Sequence, residues 1–224
     1  MSSTPCWPWP KKGSRSWSRP RRTRFVGSEE LVLASSNKGK LKELRHVLEP
    51  LHMTVHSQRD FKIAPVAETG LTFVENALLK AREAARVSRL PALGDDSGLV
   101  VDALKGQPGI YSARFAGENA SDRDNNDLLL EKLSGVIEER RSASFFCCLV
   151  LLRHHRDPAP IIATGTWYGT ILEAPRGNGG FGYDPLFLDP QLGATAAELS
   201  MVEKAQVSHR GKALKALIEE LRTP

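Results

Sequence analysis

The chain has 224 residues, of which 41% are hydrophobic and 25% are charged. This length and composition suffice for one sizeable α/β domain or two small ones, and they exclude a chain that is disordered throughout. The formal net charge of +5 would favour a nucleic-acid or membrane partner, but seven of the 31 basic residues lie in residues 1–28, which contain no acid. The rest of the chain is slightly acidic, so we expect no stable nucleic-acid partner and no membrane.

The three cysteines predict an intracellular, reducing setting, and we expect the protein to be cytoplasmic. Cys6 stands alone and Cys147 is adjacent to Cys148, so the chain has neither a disulfide framework nor a C-x-x-C zinc motif. The longest apolar run, residues 145–152, is far shorter than the roughly 20 residues that span a bilayer. It predicts a buried strand in which both cysteines are core residues.

Residues 1–29 are rich in Arg, Ser, Pro and Trp, and they lack the apolar segment of a secretory signal. An organelle transit segment, a nucleic-acid-binding arm and an extension without function are the alternatives. Four prolines argue against an amphipathic transit helix. We therefore predict a basic, disordered extension over 1–29, followed by one domain over 30–222.

The first half of that domain alternates between strand and helix patterns. Leu31–Ala34 predicts a strand, which is followed by a polar loop at Ser35–Lys40 and a helix with apolar residues at helical spacing from Leu41. Thr72-Phe-Val-Glu75 has the form of a capping box and predicts a helix that continues towards Ser88. Residues 90–101 then read as a buried strand that a charged pair interrupts.

The second half begins with a helix that Ser121 caps. Ser142–Arg153 and Ile161–Ile171 are rich in β-branched and aromatic residues, and the Asp157-Pro158 turn between them predicts an antiparallel hairpin. A glycine-rich stretch follows at 177–185. The chain closes with a helical pattern over residues 213–221.

The first candidate for chemistry is the loop at residues 35–40. A strand-to-helix loop presents free backbone N–H groups to an anion, and Lys40 adds a full positive charge, so phosphate is its natural ligand. The loop is not a Walker A motif, because G-x-x-x-x-G-K-[ST] is absent. Taken alone, an ordinary capped helix start with solvated lysines remains the favoured alternative.

The second candidate is the pair Asp95-Asp96 together with Glu68. Mg²⁺ is held in proteins by one or two carboxylates together with waters and substrate phosphates. Adjacent strand residues point to opposite faces, so one aspartate faces the metal unless the flanking glycines permit a bulge. The alternative is a pair of aspartates in an ordinary turn.

Two further segments carry weaker signals. In the glycine-rich stretch, Phe181 and Tyr183 offer rings on which a base can stack, although the stretch also fits a plain connection. Consecutive residues on a helix diverge, so Ser208-His209-Arg210 does not form a Ser–His nucleophile pair. Its cations, with Lys204, can instead donate hydrogen bonds to carbonyl oxygens of a base. The alternative is a solvated helix start.

The order of these motifs is more specific than any one of them. The chain carries, in this order, Ser35-x-Asn37-x-x-Lys40, Glu68-Thr69-Gly70, Glu75-Asn76-Ala77 with Lys80, Asp95-Asp96-Ser97-Gly98, Gly180-Phe181-Gly182-Tyr183-Asp184-Pro185 and Ser208-His209-Arg210. From about Leu31 to Leu221 it closely resembles the inosine triphosphate pyrophosphatase family, also called the dITP/XTP pyrophosphatases. The resemblance implies an α/β fold with an elongated mixed central sheet flanked by helices, two lobes with the active site in the cleft between them, and a homodimer.

The resemblance also implies roles for residues. The metal is Mg²⁺, held by Glu68 and Asp96, and Asp96 also activates water, while Lys40 and Lys80 neutralise phosphate charge. The triphosphate is held by Ser35, Ser36, Asn37, Lys38, Gly39 and Lys40. The remaining substrate contacts are Ser97, the base-pocket residues Phe181, Gly182, Tyr183 and Asp184, and the readers of the 6-oxo purine edge Lys204, His209 and Arg210.

The activity implied is hydrolysis of dITP, ITP and XTP to a nucleoside monophosphate and pyrophosphate, which cleanses the nucleotide pool. A buried donor matched to a 6-oxo group would be opposed by the amino group of adenine. GTP also has a 6-oxo group, so its exclusion is not explained in this way. The alternatives are a related nucleotide pyrophosphatase of other base preference and a non-catalytic nucleotide or nucleic-acid binder.

Overall fold

A computed structural model describes residues 30–35, 37–48 and 53–222 of the chain. The predicted extension at 1–29 lies outside these ranges. The strands are β1 (Glu30–Ala34), β2 (Thr54–Ser57), β3 (Ala92–Val101), β4 (Ser142–Leu152), β5 (Ile161–Ile171), β6 (Phe187–Asp189) and β7 (Ala194–Thr195). The α-helices are α1 (Lys38–Leu48), α2 (Phe73–Ser88), α3 (Asp122–Lys132), α4 (Met201–Val207) and α5 (His209–Arg222). A short 3-10 helix, Gly109–Arg114, lies between β3 and α3.

The strands form one mixed sheet in the order β2-β1-β3-β4-β5-β6-β7. β1 pairs in parallel with β2 and β3, and every later pairing is antiparallel. The parallel pairs arise because α1 and α2 carry the chain back across the sheet before the next strand begins. The predicted α/β fold, its mixed sheet and the β4–β5 hairpin are therefore confirmed.

The start of each of the first two helices is set by its cap. Asn37 accepts a hydrogen bond from Lys40 N at 3.1 Å, and α1 begins at Lys38. The predicted polar loop to Lys40 is therefore too long, because its last three residues already belong to the helix. Thr72 caps α2 as predicted, but the Glu75 carboxylate accepts from Leu71 N and the Thr72 hydroxyl rather than from Thr72 N.

β3 pairs with β4 without a break in register. Asp95 lies opposite Leu149 and Asp96 opposite Cys148. The expectation that the charged pair interrupts the strand is wrong, because each carboxylate finds polar partners on its own face and the ladder is undisturbed. No bulge forms between them, so the two aspartates point to opposite faces of the sheet.

Each face of the sheet has its own apolar core. One face packs Leu93, Cys147 and Leu149 against α1 and α5, and the other packs Cys148 and Val150 against the small alanine face of α2. Both cysteines are buried and free, as predicted. Further along the strands, a separate cluster joins β3, β4 and β5 to α3. None of the helices in the described ranges is long and apolar enough to cross a membrane.

Candidate active site

A cleft opens above the middle of β3. The cleft brings together most of the predicted residues, namely Asn37, Lys40, Glu68, Lys80, Asp96, Ser97, Phe181, Gly182, Tyr183, Asp184, Lys204, His209 and Arg210. Ser35, Lys38 and Gly39 do not line it, and Ser36 lies outside the described residues.

On the α2 side of the cleft, two carboxylates share one cation. Lys80 Nζ lies 2.5 Å from Glu68 Oε1 and 2.6 Å from Asp96 Oδ1. The guanidinium of Arg114 also donates to Glu68. The other Asp96 oxygen, Oδ2, is buried without a hydrogen-bond partner among the described residues. A carboxylate oxygen in that state calls for a cation or a proton donor.

The protonation of this cluster follows from burial and from neighbouring charge. Burial raises the pKa of Asp96, and Lys80 offsets only part of that effect. Burial also raises the pKa of Glu68, but Lys80 and Arg114 outweigh it and leave that pKa below its ordinary value. Burial lowers the pKa of Lys80, whereas Asp96 and Glu68 together hold it above its ordinary value. Lys80 therefore stays protonated between the two carboxylates.

The donor set fits a hard divalent cation that draws its remaining ligands from substrate and water. Within the described ranges, no group of three or more His, Cys, Asp or Glu side chains would hold a metal by itself. Glu68 and Asp96 converge on one point, which the Lys80 ammonium occupies. Two carboxylates with substrate phosphates are the arrangement that Mg²⁺ favours.

Asp95 serves a different purpose on the opposite face. Its Oδ1 lies 2.7 Å from Lys40 Nζ and its Oδ2 lies 2.7 Å from Arg210 Nε. The Asp95 side chain is fully buried. Burial raises its pKa, but Arg210 and Lys40 outweigh this and hold the pKa far below its ordinary value. Asp95 is thus ionised at neutral pH and orients two of the predicted substrate-binding cations.

The far wall of the cleft combines an aromatic ring with two cations. The Phe181 ring lies 4.9 Å from Lys204 Nζ and 5.9 Å from the guanidinium carbon of Arg210. Lys204 Nζ lies 2.5 Å from Asp184 Oδ2 and 3.3 Å from Glu43 Oε1. Cations beside an aromatic ring offer both a stacking face and hydrogen-bond donors to a heterocycle.

His209 and Arg210 are the first two residues of α5, and both line the cleft. Arg210 Nη2 donates to Ser97 Oγ at 2.9 Å, and the same guanidinium bonds to Glu43. The His209 ring stacks on Phe145 with the ring centroids 4.8 Å apart. Burial and the nearby cations Arg210 and Lys204 lower the pKa of His209 well below its ordinary value, so the ring is neutral. Its buried Nδ1 has no partner among the described residues.

Ser208 takes no part in a nucleophile pair. Its hydroxyl accepts from Gly211 N at 3.1 Å, which caps the start of α5.

Several residues of the site were not found from the sequence. Glu43 lies three residues after Lys40 on α1, and that helical spacing was a usable signal. Phe145 lines the cleft and Arg114 donates to Glu68 through tertiary packing alone, and no local pattern indicates either residue. The same holds for Asp122, which lines the cleft from α3.

Comparison with known proteins assigns the chain to a family. The model of the Ham1 family matches residues 31–220. A protein of Shigella flexneri named dITP/XTP pyrophosphatase is 53% identical over 194 residues, covering 87% of this chain and 98% of that protein. One of the same name from Xanthomonas oryzae pv. oryzae is 55% identical over 193 residues, covering 86% and 97%.

The fold agrees with that assignment. The solved structure of a HAM1 protein from Coxiella burnetii superposes with a TM-score of 0.79 at 48% identity, covering 86% of this chain and 98% of that one. The resemblance seen in the motifs is thereby confirmed. The chain belongs to the Ham1 family.

Proposed function

We propose that the chain hydrolyses dITP, ITP and XTP to the nucleoside monophosphate and pyrophosphate. The observation that carries the proposal is the convergence of Glu68, Lys80 and Asp96 on one wall of a cleft whose other wall holds Phe181 and Lys204. A polyanion and a base can therefore be bound by different chemistry in one cleft. The relatives from Shigella flexneri and Xanthomonas oryzae, which are named dITP/XTP pyrophosphatases, support the same activity.

Glu68 and Asp96 hold the Mg²⁺ in this proposal. When bound, Mg²⁺ supplies charge that stabilises the pyrophosphate leaving group. The unpartnered, buried Asp96 Oδ2 supports the assignment. Because Lys80 Nζ stands between the two carboxylates, the lysine must turn away from them when the site is filled, and the phosphate oxygens then become its partners.

Asp96 also acts as the base. Its pKa is raised by burial, which makes the carboxylate a better proton acceptor than an exposed aspartate. Once Lys80 has turned to the phosphates, one Asp96 oxygen would hold Mg²⁺ and the other would take a proton from an attacking water. Lys40 and Lys80 offset the charge that develops on the phosphates. No side chain becomes covalently attached to the substrate.

The two ends of the nucleotide occupy different parts of the cleft. The start of α1, with Asn37 and Lys40, receives the triphosphate, because the dipole of the helix favours an anion there, and Ser35 lies beside them on the loop. The base lies against Phe181. Lys204, His209 and Arg210 donate hydrogen bonds to its 6-oxo edge. The Ser97 hydroxyl also contacts the substrate.

The assembly and location follow the family resemblance. We propose a homodimer that acts in the cytoplasm, and the absence of a disulfide between the buried Cys147 and Cys148 is compatible with a reducing compartment.

Pyrophosphate release from dITP, XTP, ITP, dGTP and dATP in the presence of Mg²⁺ tests the function. Wild type is compared with Asp96→Asn and with Asp127→Asn, a matched change on exposed α3 surface. Preference for dITP, ITP or XTP, with activity lost in Asp96→Asn and kept in Asp127→Asn, supports the proposal.

Three results contradict it. Release of inorganic phosphate instead of pyrophosphate would mean a different reaction. Equal turnover of dGTP would mean another base preference. Binding of all nucleotides with no turnover would mean a non-catalytic binder.

A further inference from the structure

The segment that carries Phe181 is a tight turn whose own hydrogen bonds leave the N–H and C=O of Gly182 to be paired from outside the turn. Phe181 N donates to Asp184 Oδ2 at 2.9 Å, and Asp184 N donates to Phe181 O at 3.3 Å. Gly182 occupies the middle of the turn with a φ of 62°, in the left-handed region that favours glycine. The hydrogen bonds of the turn itself use neither the N–H nor the C=O of Gly182.

Helix α3 supplies both missing partners. Gly182 N donates to Asp122 Oδ2 at 2.7 Å. Asn126 Nδ2 donates to Gly182 O at 2.9 Å and also to the carbonyl of Asp122 at 2.8 Å. The two side chains lie one helical turn apart, so both the N–H and the C=O of Gly182 are hydrogen-bonded from one face of the helix; we call this pair of contacts the grip on Gly182.

The helix that provides this grip is itself fixed. Ser121 and Asp124 close a capping box at its start. Asn125 accepts from Ala116 N at 2.8 Å, and Leu129 is buried in the core that joins α3 to the sheet. The position of Gly182 is therefore set by two side chains of a helix that is itself rigidly supported.

Phe181 has little freedom once Gly182 is held. Its ring lies beside Lys204 and Arg210, and it is close to Gly39, where an added Cβ would come within 2.7 Å of the ring. Asp122 and Asn126 hold the backbone of the residue next to Phe181, so a change in the Gly182 peptide would be passed on to the position of the ring.

We propose that Asp122 and Asn126 are positioning residues for base recognition, which act by holding Gly182 and thereby the ring of Phe181. This rests on the proposed function, because it names the groups that make the same cleft selective. It assigns the two residues to recognition rather than to the phosphoryl chemistry, since Glu68, Lys80 and Asp96 belong to other elements. Their loss raises KM for the nucleotide and leaves kcat almost unchanged.

The experiment compares Asp122→Ala, Asn126→Ala and Asp122→Asn with Asp127→Ala. The Asp122→Asn change keeps an acceptor oxygen for Gly182 N, and Asp127 is an exposed residue of the same helix. For Asp122→Ala we expect the KM for ITP to rise about tenfold, as for a lost charge-assisted hydrogen bond, with kcat within about twofold of wild type. Asp122→Asn restores most of the KM, and Asp127→Ala behaves as wild type.

Amide exchange at Gly182 provides a readout that is independent of turnover. Asp122→Ala should lose protection of this amide, whereas Asp127→Ala should keep it. An unchanged KM together with lost protection would overturn the assignment to recognition, and unchanged protection would overturn the grip itself. A fall in kcat equal to the rise in KM would also contradict it. If the wild type releases no pyrophosphate from any nucleotide, the proposed function fails first and this inference falls with it.

Discussion

Replacing either of two adjacent aspartates with asparagine should have opposite consequences. Asp95→Asn should destabilise the fold, whereas Asp96→Asn should abolish activity and leave the fold intact. The reason lies in the alternation of β3, which turns Asp95 towards Arg210 and Lys40 and turns Asp96 towards the cleft and Lys80. The two changes are chemically identical and involve neighbouring residues, so each controls for the other.

The magnitude for Asp95 follows from its partners. Arg210 is 2% exposed, and the loss of the Asp95 charge would leave this guanidinium with Glu43 as its only ion-pair partner among the described residues. Removing one member of a buried ion pair costs about 3–5 kcal/mol, because the remaining charge is left uncompensated. Because Glu43 still pairs with Arg210, we expect Asp95→Asn to lower the free energy of unfolding by no more than that amount.

For Asp96→Asn, in contrast, we expect no decrease in the free energy of unfolding. Folding raises the pKa of Asp96, so above the unfolded pKa its ionised form is disfavoured by the fold and contributes no net stability. A neutral asparagine should consequently leave stability unchanged or raise it, as is common when a functional charge is removed.

Denaturant unfolding at neutral pH measures both changes, with pyrophosphate release assayed on the same samples. An equal loss of stability in the two variants would refute the reasoning, as would an Asp95→Asn variant as stable as wild type.

Measuring stability at acidic pH provides a second test of the role of Asp95. Folding lowers its pKa, so its stabilising contribution is present above the ordinary value of 3.8 and is lost as the pH falls below it. The difference in stability between wild type and Asp95→Asn should therefore shrink as the pH falls below about 4.

Two further predictions concern other parts of the chain. Asp157, which is buried, takes hydrogen bonds from Arg153 and Ala159 N in the β4–β5 connection, so Asp157→Ala should lower the free energy of unfolding by about 1–3 kcal/mol without loss of activity; a thermal-melting midpoint equal to that of wild type would contradict this. Gly39→Ala should fold normally but raise the KM for ITP, because the added Cβ would displace the Phe181 ring, and an unchanged KM would show that the ring does not need this space.

The sequence was sufficient where a signal is local. The strand at β1, the cap at Thr72, the hairpin of β4 with β5 and the opposite orientation of Asp95 and Asp96 all follow from alternation, caps and turns over a few residues. The motif order then placed most of the cleft residues together. Those residues come from segments far apart in the chain, and only the resemblance related them before the fold was known.

The sequence was insufficient where partners are distant. Arg114 meets Glu68 across 46 positions, and Arg210 meets Asp95 across 115. No stretch as short as one helix or strand contains both members of either pair. The same limit hid the role of Asp95, since its partners reach it from α1 and α5, which lie on either side of it in the chain.

The unbroken pairing of β3 with β4 makes the proposed catalytic centre intolerant of insertions in either strand. A shift of one residue would put Asp96 where Asp95 now meets Arg210, and Ser97 where Asp96 now meets Lys80. The same shift would expose Leu93 and Leu99 to the wrong face, at a large cost in apolar packing. Packing that keeps the apolar residues of β3 on their own faces therefore also keeps the two aspartates on theirs.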